Sequence, residues 1–274
     1  MSNEFPDEWV PLRQLSLVMP AYNEEAGIQT AIAEAREALA GLDYEFEILV
    51  IDDGSSDRTA HFTEEMSILH PSVKLIRHGV NRGYGAALRT GFDAARFDLV
   101  AFTDADSQFH LEDLDRLVPL TDEFPIVAGY RLDRQDSWRR RFFSWGYNRL
   151  VRTLLDTGIR DCDCALKVFR REVLPFILPQ TGGFLANAEM LCKARRLGLQ
   201  VAEVGVRHRP RTHGSSKVSL RDIPRTFGKL LPFWWSQVVW TRRPQPLVVP
   251  IPFLWQHIAN TSSRHSIHFD DVSR

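Results

Sequence analysis

Five short, mostly apolar runs, each ending in a polar turn, punctuate the first 130 residues of this 274-residue chain. Leu15–Met19 stops at Pro20, Phe46–Ile51 stops at Asp52-Asp53-Gly54, and Val73–Ile76, Leu99–Thr103 and Ile126–Gly129 follow. Such runs read as strands covered on both faces. Helical spacing fills the intervals. Over residues 25–40, Ile28, Ile32, Ala35 and Leu39 share one face, Asp57 stands where a helix N-cap is expected, and Tyr84–Ala95 carries a third helical pattern. Strand–helix alternation of this kind predicts an α/β fold with a mostly parallel central sheet. Beyond residue 130 the pattern loosens into a basic stretch, Arg131–Arg141, and a helix around Ser144–Leu155. A strand near Ala165–Phe169, a helix over Ala186–Leu197, a strand at Val201–Val206 and a basic loop over residues 207–219 complete the reading.

Open α/β sheets bind ligands beyond the carboxyl ends of their strands. Acids gather at three of those ends: Tyr22-Asn23-Glu24, Asp52-Asp53 and Asp104-Ala105-Asp106. Independent solvated turns would place their acids less regularly, so the three clusters read as one site. In extended chain, Asp104, Asp106 and Gln108 point to the same side. Two carboxylates and an amide oxygen are hard ligands suited to Mg²⁺ or Mn²⁺ shared with substrate phosphates. An isolated Asp-x-Asp is usually a solvated turn; a buried strand directly ahead of it favours the ligand role. There is no Gly-x4-Gly-Lys-Ser/Thr loop, and Gly83-Tyr84-Gly85-Ala86-Ala87-Leu88 lacks the third glycine of a dinucleotide fingerprint.

Charge divides the chain. Residues 1–130 carry 9 basic and 24 acidic side chains, whereas residues 131–274 carry 25 basic and 11 acidic ones. The two halves should therefore attract different ligands. Cys162, Cys164 and Cys192 form no disulfide framework or zinc spacing and read as packing residues in a reducing compartment. The N-terminal segment is acidic and lacks an apolar stretch, so a cytoplasmic location is expected. No segment reads as a membrane span. Leu230-Leu231-Pro232-Phe233-Trp234-Trp235 and Trp240, flanked by Lys229, Arg242 and Arg243, suit peripheral contact with the cytoplasmic face of a membrane. Packing of that tail on its own domain, on a second copy or on a membrane-protein partner is the competing reading. Eleven Lys/Arg within residues 131–171 are interleaved with five acids and accompany no RNA-binding motif, so no nucleic-acid partner is expected.

Pro20-Ala21-Tyr22-Asn23-Glu24, Asp52-Asp53-Gly54-Ser55-Ser56-Asp57, Asn81-Arg82-Gly83-Tyr84-Gly85, Asp104-Ala105-Asp106-Ser107-Gln108 and Gly129-Tyr130-Arg131 occur in that order. Together they resemble the family 2 glycosyltransferases, most closely the dolichol-phosphate mannosyltransferase-like branch of polyprenyl-phosphate hexosyltransferases. The resemblance implies a GT-A type nucleotide-sugar-binding domain over residues 14–220, between an extension at 1–13 and a C-terminal amphipathic, aromatic extension at 221–274. It also implies metal-dependent, inverting transfer of mannose or glucose from a GDP- or UDP-hexose to a polyprenyl or dolichyl phosphate.

Residue by residue, Pro20, Tyr22, Glu24, Ile51 and Asp53 match positions at the nucleoside of the donor. Asp104, Ala105 and Asp106 match those at ribose, diphosphate and metal, with Gln108 a further metal ligand. Arg131 matches an arginine at the reacting phosphates, Arg211 and Lys217 a basic loop over the donor, and Arg140 with Ser144 a grip on the acceptor phosphate. A hydroxyl acceptor would need a general base, for which Asp163 or Asp161 is the candidate; both also suit a turn contact supporting Lys167. Glu189 suits either a contact with the sugar or a salt bridge to nearby arginines. The segment Asp161–Lys167 departs from the branch, with Cys164-Ala165-Leu166 where Ser-Gly-Phe is usual, which leaves sugar and acceptor open. The alternatives are a non-processive transferase acting on a hydroxyl and a non-catalytic module binding anions or nucleic acid.

Overall fold

Alternation of buried strands and one-sided helices produces a seven-stranded sheet, seen in a computed structural model that describes residues 13–132, 158–183 and 185–210, with Gly146, Arg149, Thr153 and Trp235 besides. The strands are β1 (Gln14–Ala21), β2 (Glu45–Asp52), β3 (Val73–Arg77), β4 (Leu99–Phe102), β5 (Ile126–Arg131), β6 (Lys167–Arg170) and β7 (Val201–Val206). Their order is β3-β2-β1-β4-β6-β5-β7. All ladders are parallel except those of β6, which runs antiparallel to both β4 and β5. The carboxyl ends of the other six strands and the amino end of β6 therefore emerge along one edge. Every motif singled out in the described part of the sequence lies there.

Helices α1 (Ile28–Ala40), α2 (Thr59–Leu69), α3 (Tyr84–Ala94) and α6 (Leu185–Arg196) cover the sheet, with single turns α4 (Leu114–Leu117) and α5 (Leu174–Ile177) between them. The expected face of α1 is buried: Ile28, Ile32, Ala35 and Leu39, joined by Ala31 and Ala38. Phe92 of α3 meets Phe102 and Phe169 edge-on at 5.9 and 5.8 Å, while those two rings stack at 6.1 Å. Such pairs stabilise by about 0.5–1.5 kcal/mol beyond area burial. At the opposite edge Glu47, 1% exposed, accepts hydrogen bonds from Ser16, Lys74 and the Arg96 backbone. Burial alone would raise its pKa; these donors hold it below the ordinary value.

Several expectations need correction. Pro20 does not stop the first strand, which continues to Ala21. The β1–β4 ladder ends at Val18–Phe102, and Pro20 turns its nitrogen toward that vacated side, so no bond is lost. Asp57 is not the N-cap of α2; Arg58 holds that position, although Asp57 Oδ1 still accepts the Thr59 N–H at 3.0 Å. Helical turns over Leu111–Asp122 and the isolated bridge of Phe109 with His208 had no signal in apolar periodicity. The three cysteines are free and buried, as expected. Of the expected helix around Ser144–Leu155, Gly146, Arg149 and Thr153 are helical and the rest lies outside the described residues. So do residues 1–12 and the 221–274 extension, Trp235 excepted.

Candidate active site

The turns after β1 and β2 are stitched into one unit. Asn23, in left-handed backbone at φ 51°, donates its N–H to Ser55 Oγ at 2.9 Å and accepts the Ser56 N–H at 2.8 Å. The Glu24 N–H donates to Thr59 Oγ1 at 2.8 Å. Tyr22 is 37% exposed beside this unit, whereas Pro20, Glu24, Ile51 and Asp53 are buried. Asp53 is the anchor of the next loop: its carboxylate accepts the backbone N–H groups of Arg82 and Gly83 at 2.9 and 2.8 Å and contacts His78 Nδ1 at 2.7 Å. His78 Nε2 in turn meets Thr90 Oγ1 at 2.9 Å. The residues matched to the nucleoside thus share one edge, and Asp53 spends its oxygens on shaping that edge.

The Asp-x-Asp turn follows β4. Ala105 is buried between half-buried Asp104 and Asp106, and Ser107 takes left-handed backbone at φ 54°. The Gln108 N–H donates to Asp106 Oδ1 at 3.3 Å. The chain leaving β7 clamps this turn: Arg209 N–H donates to the Gln108 carbonyl at 2.9 Å, and Gln108 Nε2 lies 3.4 Å from the Arg209 carbonyl. Arg207 is fixed by Asp113, through its N–H at 2.6 Å and Nε at 2.9 Å. Among the described residues no group of three or more His, Cys, Asp or Glu could hold a metal. Two carboxylates instead suit a cation whose remaining positions are filled by substrate oxygens and water, the usual arrangement for Mg²⁺.

Helix α3 begins against the loop that precedes α6. A Cβ on Gly83, at φ +93°, would lie 2.2 Å from the Gly182 carbonyl oxygen, and one on Gly85 would lie 1.9 Å from that of Thr181. Between these glycines Tyr84 shares hydrogen bonds with Asp104 and Asn187. Burial, then the charge of Asp104 and more weakly that of Asp163, raise its phenol pKa well above the ordinary value. The phenol therefore keeps its proton and donates it to Asp104, while the Asn187 amide donates to the phenol oxygen. In the sequence Tyr84 stands out as a helix start and as part of glycine motifs, with no contact to Asp104 foreseen, and Asn187 has no assigned role. Their link depends on tertiary packing of α3 against α6.

Arg131, at the end of β5, forms a bidentate pair with Asp161, Nε to Oδ2 at 2.7 Å and Nη2 to Oδ1 at 2.8 Å. Burial alone would lower the arginine pKa; Asp161 outweighs it and drives it upward, with Asp163 adding a smaller contribution. Asp161 thus orients Arg131 from the turn that leads to Lys167. That lysine, 1% exposed, donates to the backbone carbonyls of Cys162 and Cys164, and its Nζ sits 5.3 Å from the Phe102 ring centre. Burial pushes the Cys164 thiol up to about 12, consistent with a packing role. Glu189, fully buried, accepts the N–H groups of Gln180 and Thr181 at 2.9 Å each and pairs with Lys193 at 2.7 Å, so its salt-bridge partner is a lysine and not an arginine. Arg140, Ser144, Arg211 and Lys217 lie outside the described residues.

The chain belongs to glycosyl transferase family 2, whose model matches residues 16–177. Its fold is the GT-A type. Among solved structures it is similar to glucosyl-3-phosphoglycerate synthase from Mycobacterium tuberculosis. The complex of that enzyme with Mn²⁺, UDP and glucosyl-3-phosphoglycerate matches with a TM-score of 0.65 at 21% identity, over 84% of this chain and 81% of that one. The complex with Mn²⁺, UDP-glucose and phosphoglyceric acid matches with a TM-score of 0.63 at 22% identity, over 87% of this chain and 88% of the other.

Proposed function

We propose that this glycosyltransferase moves a hexose, with inversion, from a GDP- or UDP-hexose to a polyprenyl or dolichyl phosphate at a membrane surface, using Mg²⁺ or Mn²⁺. The observation that carries the donor half is the convergence of Asp104, Asp106, the Tyr22–Glu24 turn and Arg131 on one edge of the sheet. Asp104 and Asp106, with Gln108, would hold the cation, whose chemistry is to neutralise charge developing on the leaving diphosphate. Arg131 is a fixed guanidinium oriented by Asp161, and its fork geometry suits phosphate oxygens. Pro210 follows the Arg209 clamp on the Asp-x-Asp turn, and Arg211 and Lys217, further along the sequence, would be additional phosphate ligands.

A phosphate monoester is largely ionised at neutral pH, its second pKa being about 6, so it attacks the anomeric carbon without a strong general base. Arg140 and Ser144 would hold it. Support for a lipid-borne acceptor comes from the aromatic and basic run Lys229–Arg243. Among the described residues no helix is long and apolar enough to cross a membrane, and the mixed aromatic and basic character of Lys229–Arg243 suits peripheral contact.

A second reading is favoured by the structural likeness to an enzyme solved with UDP-glucose and phosphoglyceric acid: transfer to a hydroxyl of a small phosphorylated acceptor, with Asp163 as base. One assay separates the two. The full chain is incubated with labelled UDP-glucose or GDP-mannose, Mg²⁺ or Mn²⁺, and either polyprenyl phosphate or phosphoglyceric acid. Label extracted into organic solvent is the expected result. Label confined to a water-soluble phosphorylated product supports the second reading, and no product from any common donor overturns both.

A further inference from the structure

The carboxamide of Asn187 has an unfinished set of hydrogen bonds one side chain removed from the Asp-x-Asp turn. The residue is 7% exposed on the first turns of α6. Its amide nitrogen donates to Tyr84, whose hydroxyl is committed to Asp104, the first carboxylate of the Asp-x-Asp turn. Its Oδ1 is buried and has no hydrogen-bond partner. A buried amide carbonyl left unpaired costs about 1–3 kcal/mol, and native proteins rarely carry that cost without a ligand or role to explain it. A second such atom, Thr181 Oγ1, lies in the loop that abuts Gly85 immediately after Tyr84. Glu189 fixes this loop to α6 through the Gln180 and Thr181 N–H groups. The loop and helix thus present polar atoms from a rigid frame, which is what stereochemical recognition of a small polar ligand needs.

The surroundings narrow the chemistry of what fills the gap. Asp104 and Asp163 both act on Tyr84 through their negative charge. An anionic group is therefore disfavoured, and Oδ1 can only accept. A neutral hydroxyl donor satisfies both conditions. On the donor reading above, the hydroxyl-bearing group attached to a diphosphate at Asp104 and Asp106 is the sugar.

We propose that Asn187 is a specificity-determining residue: its Oδ1 accepts a hydrogen bond from one hydroxyl of the donor's hexosyl group, while its Nδ2 holds Tyr84 on Asp104. One carboxamide then couples sugar identity to the carboxylate that serves the diphosphate. The inference rests on the nucleotide-hexose reading of the site.

The test is a cycle between one side chain and one substrate hydroxyl. Wild type and Asn187→Ala are assayed with the preferred nucleotide-hexose and with its monodeoxy analogues. Asn187→Ala should lower kcat/KM for the complete donor about 10-fold or more, and should weaken binding of the nucleotide-hexose more than that of the nucleoside diphosphate with Mn²⁺. For one deoxy donor, and only that one, the substitution should cost nothing further. Penalties that multiply independently for every deoxy donor overturn the proposal. Asn187→Ser guards against a folding defect, and should show the same pattern. Tyr84→Phe separates direct contact from positioning: it should keep the discrimination among deoxy donors that Asn187→Ala loses, and loss of that discrimination would mean Asn187 acts only through Tyr84. If the wild type turns over no nucleotide-hexose, the transferase reading itself falls. Calorimetry then decides the inference, since equal effects of Asn187→Ala on binding of nucleotide-hexose and of nucleoside diphosphate overturn it.

Discussion

Arg131 and Asp161 form a two-pronged ion pair, at 2.7 and 2.8 Å, that ties the end of β5 to the turn leading into β6. Their side chains are only 11% and 9% exposed. Removing one member of such a pair strands the other charge in a dry site. Asp161→Asn should therefore cost about 3–5 kcal/mol, read as a fall of roughly 10 °C in the unfolding midpoint by circular dichroism. The double replacement Arg131→Met with Asp161→Leu should recover much of that loss, and, if Arg131 meets the reacting phosphates as proposed, should leave turnover abolished.

Gly83 and Gly85, on either side of Tyr84 at the start of α3, leave no room for a side chain. Gly83→Ala combines strain at φ +93° with a backbone oxygen 2.2 Å from the new Cβ, and should destabilise by roughly 2–5 kcal/mol. Gly85→Ala meets the Thr181 oxygen and should cost about 1–3 kcal/mol. Gly183, whose Cβ position has nothing within 4 Å, is the control: its alanine variant should stay within about 0.5 kcal/mol of wild type. Urea unfolding of the three proteins ranks them, and an ordering with Gly183→Ala worst would contradict the packing of α3 on the 180–183 loop.

Much of this was legible in local sequence. The buried strands and the acids that end them are consecutive residues, so Asp53, Asp104 and Asp106 could be placed on one edge before any coordinates. Strand direction is not written in the strand itself, and the antiparallel insertion of β6 between β4 and β5 had no signal. Pro20 misled because a proline ends a strand only where a neighbour needs its N–H, and β4 has already left. Tyr84 with Asn187 and Arg131 with Asp161 join residues brought together only by packing, which no periodicity reports. Lys167 shows the same limit: its partners are backbone carbonyls, invisible to any reading of side-chain types.

Glu189 gives the fold a defined acid sensitivity. Burial would raise its pKa, but Lys193 and the N–H groups of Thr181 and Gln180 bring it below the ordinary value. A carboxylate depressed on folding contributes stability above its unfolded pKa, about 4.3, and loses it as pH falls through the lower folded value. Glu189→Gln should be less stable than wild type at pH 7, and the gap should close on acidification below about pH 4.3. Unfolding midpoints of both proteins between pH 7 and pH 3 provide the comparison; a gap independent of pH would remove the ionised carboxylate from the account.

If Asp104 and Asp106 hold the cation, Asp106→Ala should lower turnover by on the order of 100-fold or more. Chelation of divalent cations should abolish wild-type activity and Mn²⁺ should restore it, whereas the variant should respond to Mn²⁺ weakly. Retained, metal-stimulated turnover in Asp106→Ala would move the metal site elsewhere.

Replacing Asp163, whose charge reaches both Tyr84 and Arg131, separates the two proposed kinds of acceptor. A phosphate acceptor loses its second proton near pH 6, so kcat/KM for a polyprenyl phosphate should rise through about pH 6 and then level off. That profile belongs to the substrate, and Asp163→Asn should keep its shape and retain turnover to within about 10-fold. A hydroxyl acceptor instead needs a base in the transition state, and losing it costs about 10²–10⁴-fold. A collapse of that size in Asp163→Asn, together with loss of the acidic limb, would make the aspartate the base and the acceptor a hydroxyl. The size of the loss and the survival of the limb vary separately, so a variant slowed only by the missing charge near Arg131 still shows the acceptor's own titration.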